Sequence, residues 1–487
     1  MGNLISREML EFLVMISNFF IALCMGFYTL DCFWAFKYRE ESTGGILYIR
    51  QNFWMFVIQF LSFFNLAYIS KEWNYVLLYI ALQLFFVVIL CITPLIYRTI
   101  NRLLLNNMCM MFSISMVALA RLSIDKAIRQ FEIMGIAYVL CMFIPLLLKK
   151  TNILPKLKWA YAIIGTIALG SVLLLSETTY GSKLSFTIEG VTFQPSEFVK
   201  IFFVLFLAAA LSSGTSLLQL LITSLIAGAH VLILVLSTDL GSALIFFITY
   251  LAMIFVSSRN YLYLLLGIGG GCGASFLAFH LFTHVRTRVL AWSDPWSYID
   301  NKGYQITQSL FAIGSGSWFG MGLYKGVPDD IPFVETDFIF SSICEEFGTI
   351  FGILLILVII SCFMMMIRIS LSTQNKFYRL TAFGYAVLYI FQVFLTVGGG
   401  IKFIPLTGVT LPLISYGGSS LVSVMIMFFL LHSIHMQSQS VPKEINTASE
   451  ELIDIDLDEV IDLDENEDDI LEMEEESNEK ENDTENV

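Results

Sequence analysis

Thirteen apolar stretches, most of them long enough to cross a bilayer, decide what this chain can fold into. They fall near residues 9–34, 53–70, 74–97, 104–121, 132–148, 158–176, 198–212, 217–237, 240–257, 261–283, 341–367, 379–398 and 409–434, with 198–212 the weakest by length. In lipid only an internally hydrogen-bonded helix or a closed barrel hides its backbone polar groups, and stretches of this length select the helix. Hydrophobic residues make up 57% of the 487, and mean hydropathy is +0.76, which excludes a soluble globular domain. The chain is predicted to be an all-α polytopic membrane protein.

The formal charge of −14 is misleading, because 21 of the 41 acids lie between Glu444 and Val487 beside a single Lys480. The body is mildly basic. Residues 437–487 are predicted to form a disordered acidic tail, with Ile and Leu recurring between acids in "LIDIDLDEVIDLDE" as either a solvated strip or a dock for a basic partner. Alternate loops carry more Lys and Arg, among them Arg98 and Arg102, Lys149 to Lys158, and Arg368 with Lys376. By the positive-inside rule this puts the C-terminus in the cytoplasm and, across thirteen spans, the N-terminus outside. Two long connections, 177–197 and 284–340, then face outward, and the second is too long for a plain connector.

The eight cysteines show no paired spacing and no His companions, so they read as small apolar residues in buried helices. The first apolar stretch lacks a basic start and a cleavage site, so no cleavable signal peptide is expected. No P-loop, metal-ligand set or nucleophile elbow appears, which argues against an ATP-driven pump.

Ionisable side chains within or beside spans mark function by default, since each is costly without a partner. In "FQPSEFVKIFF", Glu197 and Lys200 are three residues apart on one helix face. In "VLSTDLGSALIFF", Asp239 sits between two apolar helices. These three either neutralise each other and fix helix packing or touch substrate. In "FVETDFIFSS", Asp337 meets an apolar run with no Lys or Arg within ten residues. It is either the cap of the following helix or a carboxylate whose pKa burial has raised towards general-base use. Glu345 and Glu346, about two turns further along the same span, read as structural, with a catalytic accessory role as the alternative. Arg286 and Arg288 in "HVRTRVLAWSDPW" suit a diphosphate or other anion. The glycines of "KGYQITQSLFAIGSGSWFGMGL" would let backbone amides approach a ligand. The stretch "TGVTLPLISYGGSSL" opens the last span with irregular backbone, tolerated only against protein or a cavity.

Together "FQPSEFVKI", "DLGSALIFF", "RVLAWSDPW", "GYQITQSLFAIGSG", "FGMGL", "ETDFIFSSICEEFG" and "GVTLPLISYGGSSL" closely resemble, in order, the SEDS family of FtsW, RodA and SpoVE. The resemblance covers about residues 104–436. It implies a ten-helix core preceded by three extra transmembrane helices in residues 1–103, with a large extracellular loop. It also implies a peptidoglycan glycosyltransferase that polymerises lipid II on the outer membrane face. The family's essential aspartate falls on Asp337 as catalytic carboxylate, its QPSExxK pair on Glu197 and Lys200, and the aspartate of its PDLGT motif on Asp239. Arg286, Arg288 and Lys200 are the cation candidates for the lipid diphosphate, with a divalent cation (Mg2+ or Mn2+) as a candidate to share that role. Expected partners are a class B penicillin-binding transpeptidase and other divisome or elongasome membrane proteins, with no nucleic acid. A lipid-linked precursor transporter and a non-catalytic scaffold are the competing readings. Departures from the pattern are Ser237-Thr238 for Gln-Pro, Ser242 for Thr, Leu184-Ser185 for Arg-Trp, and Glu335 for the His that often precedes the Thr-Asp pair.

Overall fold

The computed structural model describes residues 2–37, 41–149, 153–175, 185–188 and 191–439. The expected acidic tail lies outside the described residues apart from its first three positions, as does Leu184 of the altered Arg-Trp pair. In chain order the elements are α1 (Gly2–Lys37), α2 (Glu41–Ser70), α3 (Trp73–Ile96), α4 (Arg102–Leu122), α5 (Ile124–Cys141), α6 (Ile144–Lys149) and α7 (Lys158–Leu175). A small antiparallel hairpin follows, β1 (Phe186–Ile188) with β2 (Val191–Phe193), pairing Thr187 opposite Thr192. Then come α8 (Pro195–Ser212), α9 (Leu217–Leu236), α10 (Leu240–Ser258), α11 (Tyr261–Leu281), α12 (Thr283–Ser293), α13 (Tyr304–Gly316), α14 (Ile339–Phe347), α15 (Thr349–Ser372), α16 (Lys376–Gly400) and α17 (Gly418–Gln439). Among the described residues thirteen helical spans are long and apolar enough to cross a membrane, as the sequence predicts.

The axis of the bundle is α4, buried from Leu103 to Arg121. Its polar residues are consumed inside the protein. Asn107 accepts from Tyr28 on α1 (2.9 Å) and donates to Ser361 on α15 (2.8 Å), tying three helices at one level. The three N-terminal helices wrap this axis: α1 packs on α2, α14 and α15, α2 on α4, and α3 on α4 and α5. The short α8, weakest by length, is buried over nearly its whole length. Pro195 opens it, where a missing N–H costs nothing.

Helices α2 and α5 begin some residues before the expected spans, and two further differences from the expected boundaries shape the site. The stretch 341–367 is not one helix: α14 ends at Phe347 and α15 starts at Thr349, so Glu345 and Glu346 sit on a separate short helix. The break is imposed from outside. Gly348 has φ +92°, and a β-carbon there would lie 2.4 Å from the Gly320 nitrogen and the Trp318 oxygen. The first amides of α15 donate to this crossing strand, Thr349 to Ser317 (2.9 Å) and Ile350 to Trp318 (3.2 Å). The last span also starts late, at Gly418 rather than near 409. Residues 409–417 stay irregular because distant side chains satisfy their carbonyls. Thr396 donates to Val409 (2.9 Å), Gln392 to Thr410 (2.9 Å), Ser115 to Ile414 (2.7 Å) and Gln130 to Ser415 (3.2 Å).

Candidate functional site

Asp337 lies in the loop one residue before Phe338, the N-cap residue of α14, whose own side chain makes no capping bond. The carboxylate is therefore not spent on the helix start, and of the two sequence readings the cap is set aside. Its backbone is held firmly. The Asp337 amide donates to Phe333 (3.0 Å), the Ser415 hydroxyl donates to the Thr336 carbonyl, and the Tyr416 amide donates to the Glu335 carbonyl (2.8 Å). The irregular 409–417 segment thus clamps the Glu335–Thr336 backbone.

Arg288 comes to this carboxylate from α12. Its Nη1 donates to the Thr407 carbonyl (3.0 Å). Gly408, at φ +73°, separates the two charges: a β-carbon there would lie 3.6 Å from Asp337 Oδ2 and 3.7 Å from Arg288 Nη2. A β-carbon at 408 would stand in van der Waals contact with both, so glycine leaves room between the carboxylate and the guanidinium. Arg286 does not join them. Two residues apart on a helix is about 200° of rotation, and Arg286 is exposed, set over the Phe279 ring at 5.7 Å.

Asp239 reaches the same region from the start of α10. It accepts from the Ser242 amide (3.1 Å) as N-cap and from the Ser196 hydroxyl (3.2 Å). Gly241 allows α10 to meet residues 407–409, since a β-carbon there would lie 2.3 Å from Val409 and 3.0 Å from the Thr407 oxygen. Glu197 and Lys200 form a separate buried knot. The ammonium donates to Glu197 (2.8 Å) and Gln392 (3.0 Å), and Glu197 accepts from Ser423 (3.2 Å). The cavity beside them is about 10 Å³, room for one water at most.

Electrostatics separate these acids. Burial lifts the Asp337 carboxyl to about 6, while the Thr336 hydroxyl and the Arg288 guanidinium hold it back and Glu335 adds to the rise. Burial also pulls the Arg288 guanidinium down, offset by Asp337 and Asp239. Glu335, which stands where the family often has His, is engaged by Lys126. Burial would raise it, but the Lys126 bond and charge more than offset this and leave it below the usual range.

Glycine-rich turns do not present free amides here. Gly320 donates to Gly316 (2.8 Å), Met321 to Glu345 (2.9 Å) and Gly322 to Glu346 (2.9 Å), so this stretch packs against α14. Glu346 pairs with Arg121 (2.6 Å), whose guanidinium also lies over the Tyr324 ring at 4.4 Å. Sequence reasoning missed Arg121, Thr407 and His284. The hydroxyl of Thr407 and the Nε2 of His284 are buried without a partner, both next to Arg288. His284 and Arg288 are spaced i, i+4 on one helix face, a signal visible in "HVRTR".

The fold and site define a multi-pass helical membrane protein with a carboxylate and a guanidinium on either side of Gly408 and orphaned polar atoms beside the guanidinium. The sequence model of the FtsW/RodA/SpoVE family, described as cell cycle protein, matches residues 94–440, and the chain belongs to that family. The peptidoglycan glycosyltransferase RodA of Mycobacterium tuberculosis is 34% identical over 271 residues, covering 52% of this chain and 58% of that protein. The chain thus spans under two thirds of that relative's length. Stage V sporulation protein E of Bacillus subtilis is 33% identical over 270 residues, covering 53% of this chain and 73% of that protein. Among solved structures, a chain from a peptidoglycan synthase complex studied for the coordination of polymerization and crosslinking superposes with TM-score 0.61. It is 25% identical, and the match covers 70% of this chain and 99% of that one.

Proposed function

We propose that this chain is a peptidoglycan glycosyltransferase that polymerises lipid II on the outer face of the cell membrane, with Asp337 as general base. The observation that carries this reading is a carboxylate outside the N-cap position of α14, raised to about 6, opposite an arginine across Gly408. The C4 hydroxyl of one lipid II attacks the anomeric carbon of the growing strand. Its proton passes to Asp337, the new C–O bond forms, and the bond to the lipid diphosphate breaks. Arg288 faces the departing diphosphate, with Thr407 and His284 as further polar contacts. Glu197 and Lys200 hold α8 against α16 and α17, and Asp239 holds the start of α10 beside Arg288.

A divalent cation, Mg2+ or Mn2+, is part of this proposal. Such ions bind through one or two carboxylates plus substrate phosphates. Among the described residues no group of three or more His, Cys, Asp and Glu gathers at metal-holding geometry. Asp239 is the carboxylate beside Arg288 that would hold the ion together with diphosphate oxygens, and the ion would add positive charge at the leaving group. A class B penicillin-binding transpeptidase and other division or elongation membrane proteins are the proposed partners.

Purified protein in detergent is expected to elongate lipid II into glycan strands. Micelles have no second compartment, so a transporter or scaffold would bind lipid II there and yield no polymer. The rate is expected to fall as pH drops through about 6 and to level off above 7, because the base works only when ionised. A profile flat down to pH 5 would remove Asp337 from that role. The proposed orientation places the C-terminus in the cytoplasm and the N-terminus outside. A cysteine introduced at Asn3 should react with an impermeant label in intact cells, and protection of that site would reverse the topology.

A further inference from the structure

A cavity of about 500 Å³ opens between α2, α3 and α4, away from Asp337 and its neighbours. This lies within the ~300–1,000 Å³ range of ligand sites. Pro94 lies in its wall and interrupts the hydrogen-bond ladder of α3 near its end, because its nitrogen carries no proton for Leu90. The mouth is on the lipid-facing surface, where Ile49 and Leu95 are exposed and line it. The α2 face contributes Tyr48, Asn52 and Phe56, α3 the apolar Val87 and Leu90, and α4 Arg102.

Charge at this cavity is unbalanced. Arg102 lines it, and Arg368 from α15 lies within electrostatic reach of the same Tyr48. Among the described residues neither arginine has a carboxylate partner within ion-pair distance, whereas the nearby acid Asp31 is taken by Arg50. The buried Asn52 Oδ1 accepts no hydrogen bond. A largely apolar slot open to lipid, lined by Arg102 and with Arg368 in electrostatic reach of its Tyr48, matches one molecule of the surrounding membrane.

We propose that this cavity binds an anionic glycerophospholipid, its phosphate between Arg102 and Arg368 and an acyl chain along Phe56, Val87 and Leu90. Two guanidiniums at the membrane surface favour an anionic headgroup over a zwitterionic one. The apolar lining favours a lipid over free phosphate. The bound lipid would wedge the N-terminal helices against α4.

The test uses full-length protein, delipidated and then reconstituted into nanodiscs of phosphatidylglycerol or of phosphatidylcholine. Native mass spectrometry counts the lipid kept on release. Wild type should retain phosphatidylglycerol and shed phosphatidylcholine. The Arg102→Gln, Arg368→Gln double variant should retain roughly tenfold less phosphatidylglycerol. Val87→Trp, which fills the cavity and leaves both arginines, should lose it as well. Equal retention of the two lipids by wild type, or wild-type retention by Val87→Trp, would overturn the proposal. So would displacement of the lipid by inorganic phosphate alone, which would make this a free-anion site.

Discussion

Lys200→Ala is expected to lower unfolding free energy by about 3–5 kcal/mol. Lys200 and Glu197 are both buried, at 3% and 4% exposure, and the ammonium is held by Glu197 and Gln392. Removing it leaves the Glu197 carboxylate in low dielectric with only the Ser423 hydroxyl. The adjoining 10 Å³ cannot admit the water shell that would rescue it. The pair itself need not be worth that much, because desolvation offsets most of its attraction. Hence the double change Lys200→Met, Glu197→Gln should recover most of the loss, and melting temperatures of all three proteins in detergent check this. A double variant as unstable as Lys200→Ala would mean the loss is one of packing, not of stranded charge.

Asp337→Asn is expected to cut polymerisation by about 10²–10⁴-fold, the usual cost of losing a positioned base, while raising the melting temperature at neutral pH. The stability direction follows from linkage. A carboxyl whose folded-state pKa is raised to about 6 favours the fold when protonated. That contribution is present in full below the unfolded value and is lost as pH rises through about 6. Asn stays neutral, so its advantage should be absent below about pH 4, grow between about pH 4 and 6, and be full above about pH 6. A residue held only for structure would show the reverse at neutral pH: reduced stability with near-normal rate.

Much of this was legible in the chain. Thirteen spans follow from apolar length alone, and Asp337 stood out because no basic residue is near it in sequence. The Glu197–Lys200 pair follows from helical spacing. What was not legible lies in contacts between distant segments. "SSICEEFGTIFGIL" is apolar enough to continue as one helix, and only the crossing of Ser317–Gly320 breaks it at Gly348. The late start of α17 depends on Gln392, Ser115 and Gln130, none of them near residues 409–417 in sequence. Nothing in the local sequence pairs Glu335, and Lys126, 209 residues earlier, is its partner. Arg286 and Arg288 were equivalent as a pair of charges. The helix turns one of them away.

The measurement that bears most directly on Asp337 as base is gel-resolved glycan synthesis from lipid II by wild type and Asp337→Asn, purified in detergent at pH 7.5 and matched for folded protein. Polymer from wild type with none from the variant, whose melting temperature is equal or higher, is the expected result. Glycan strands made by Asp337→Asn at a rate near wild type would contradict the assignment, whatever the resemblance of the surrounding sequence.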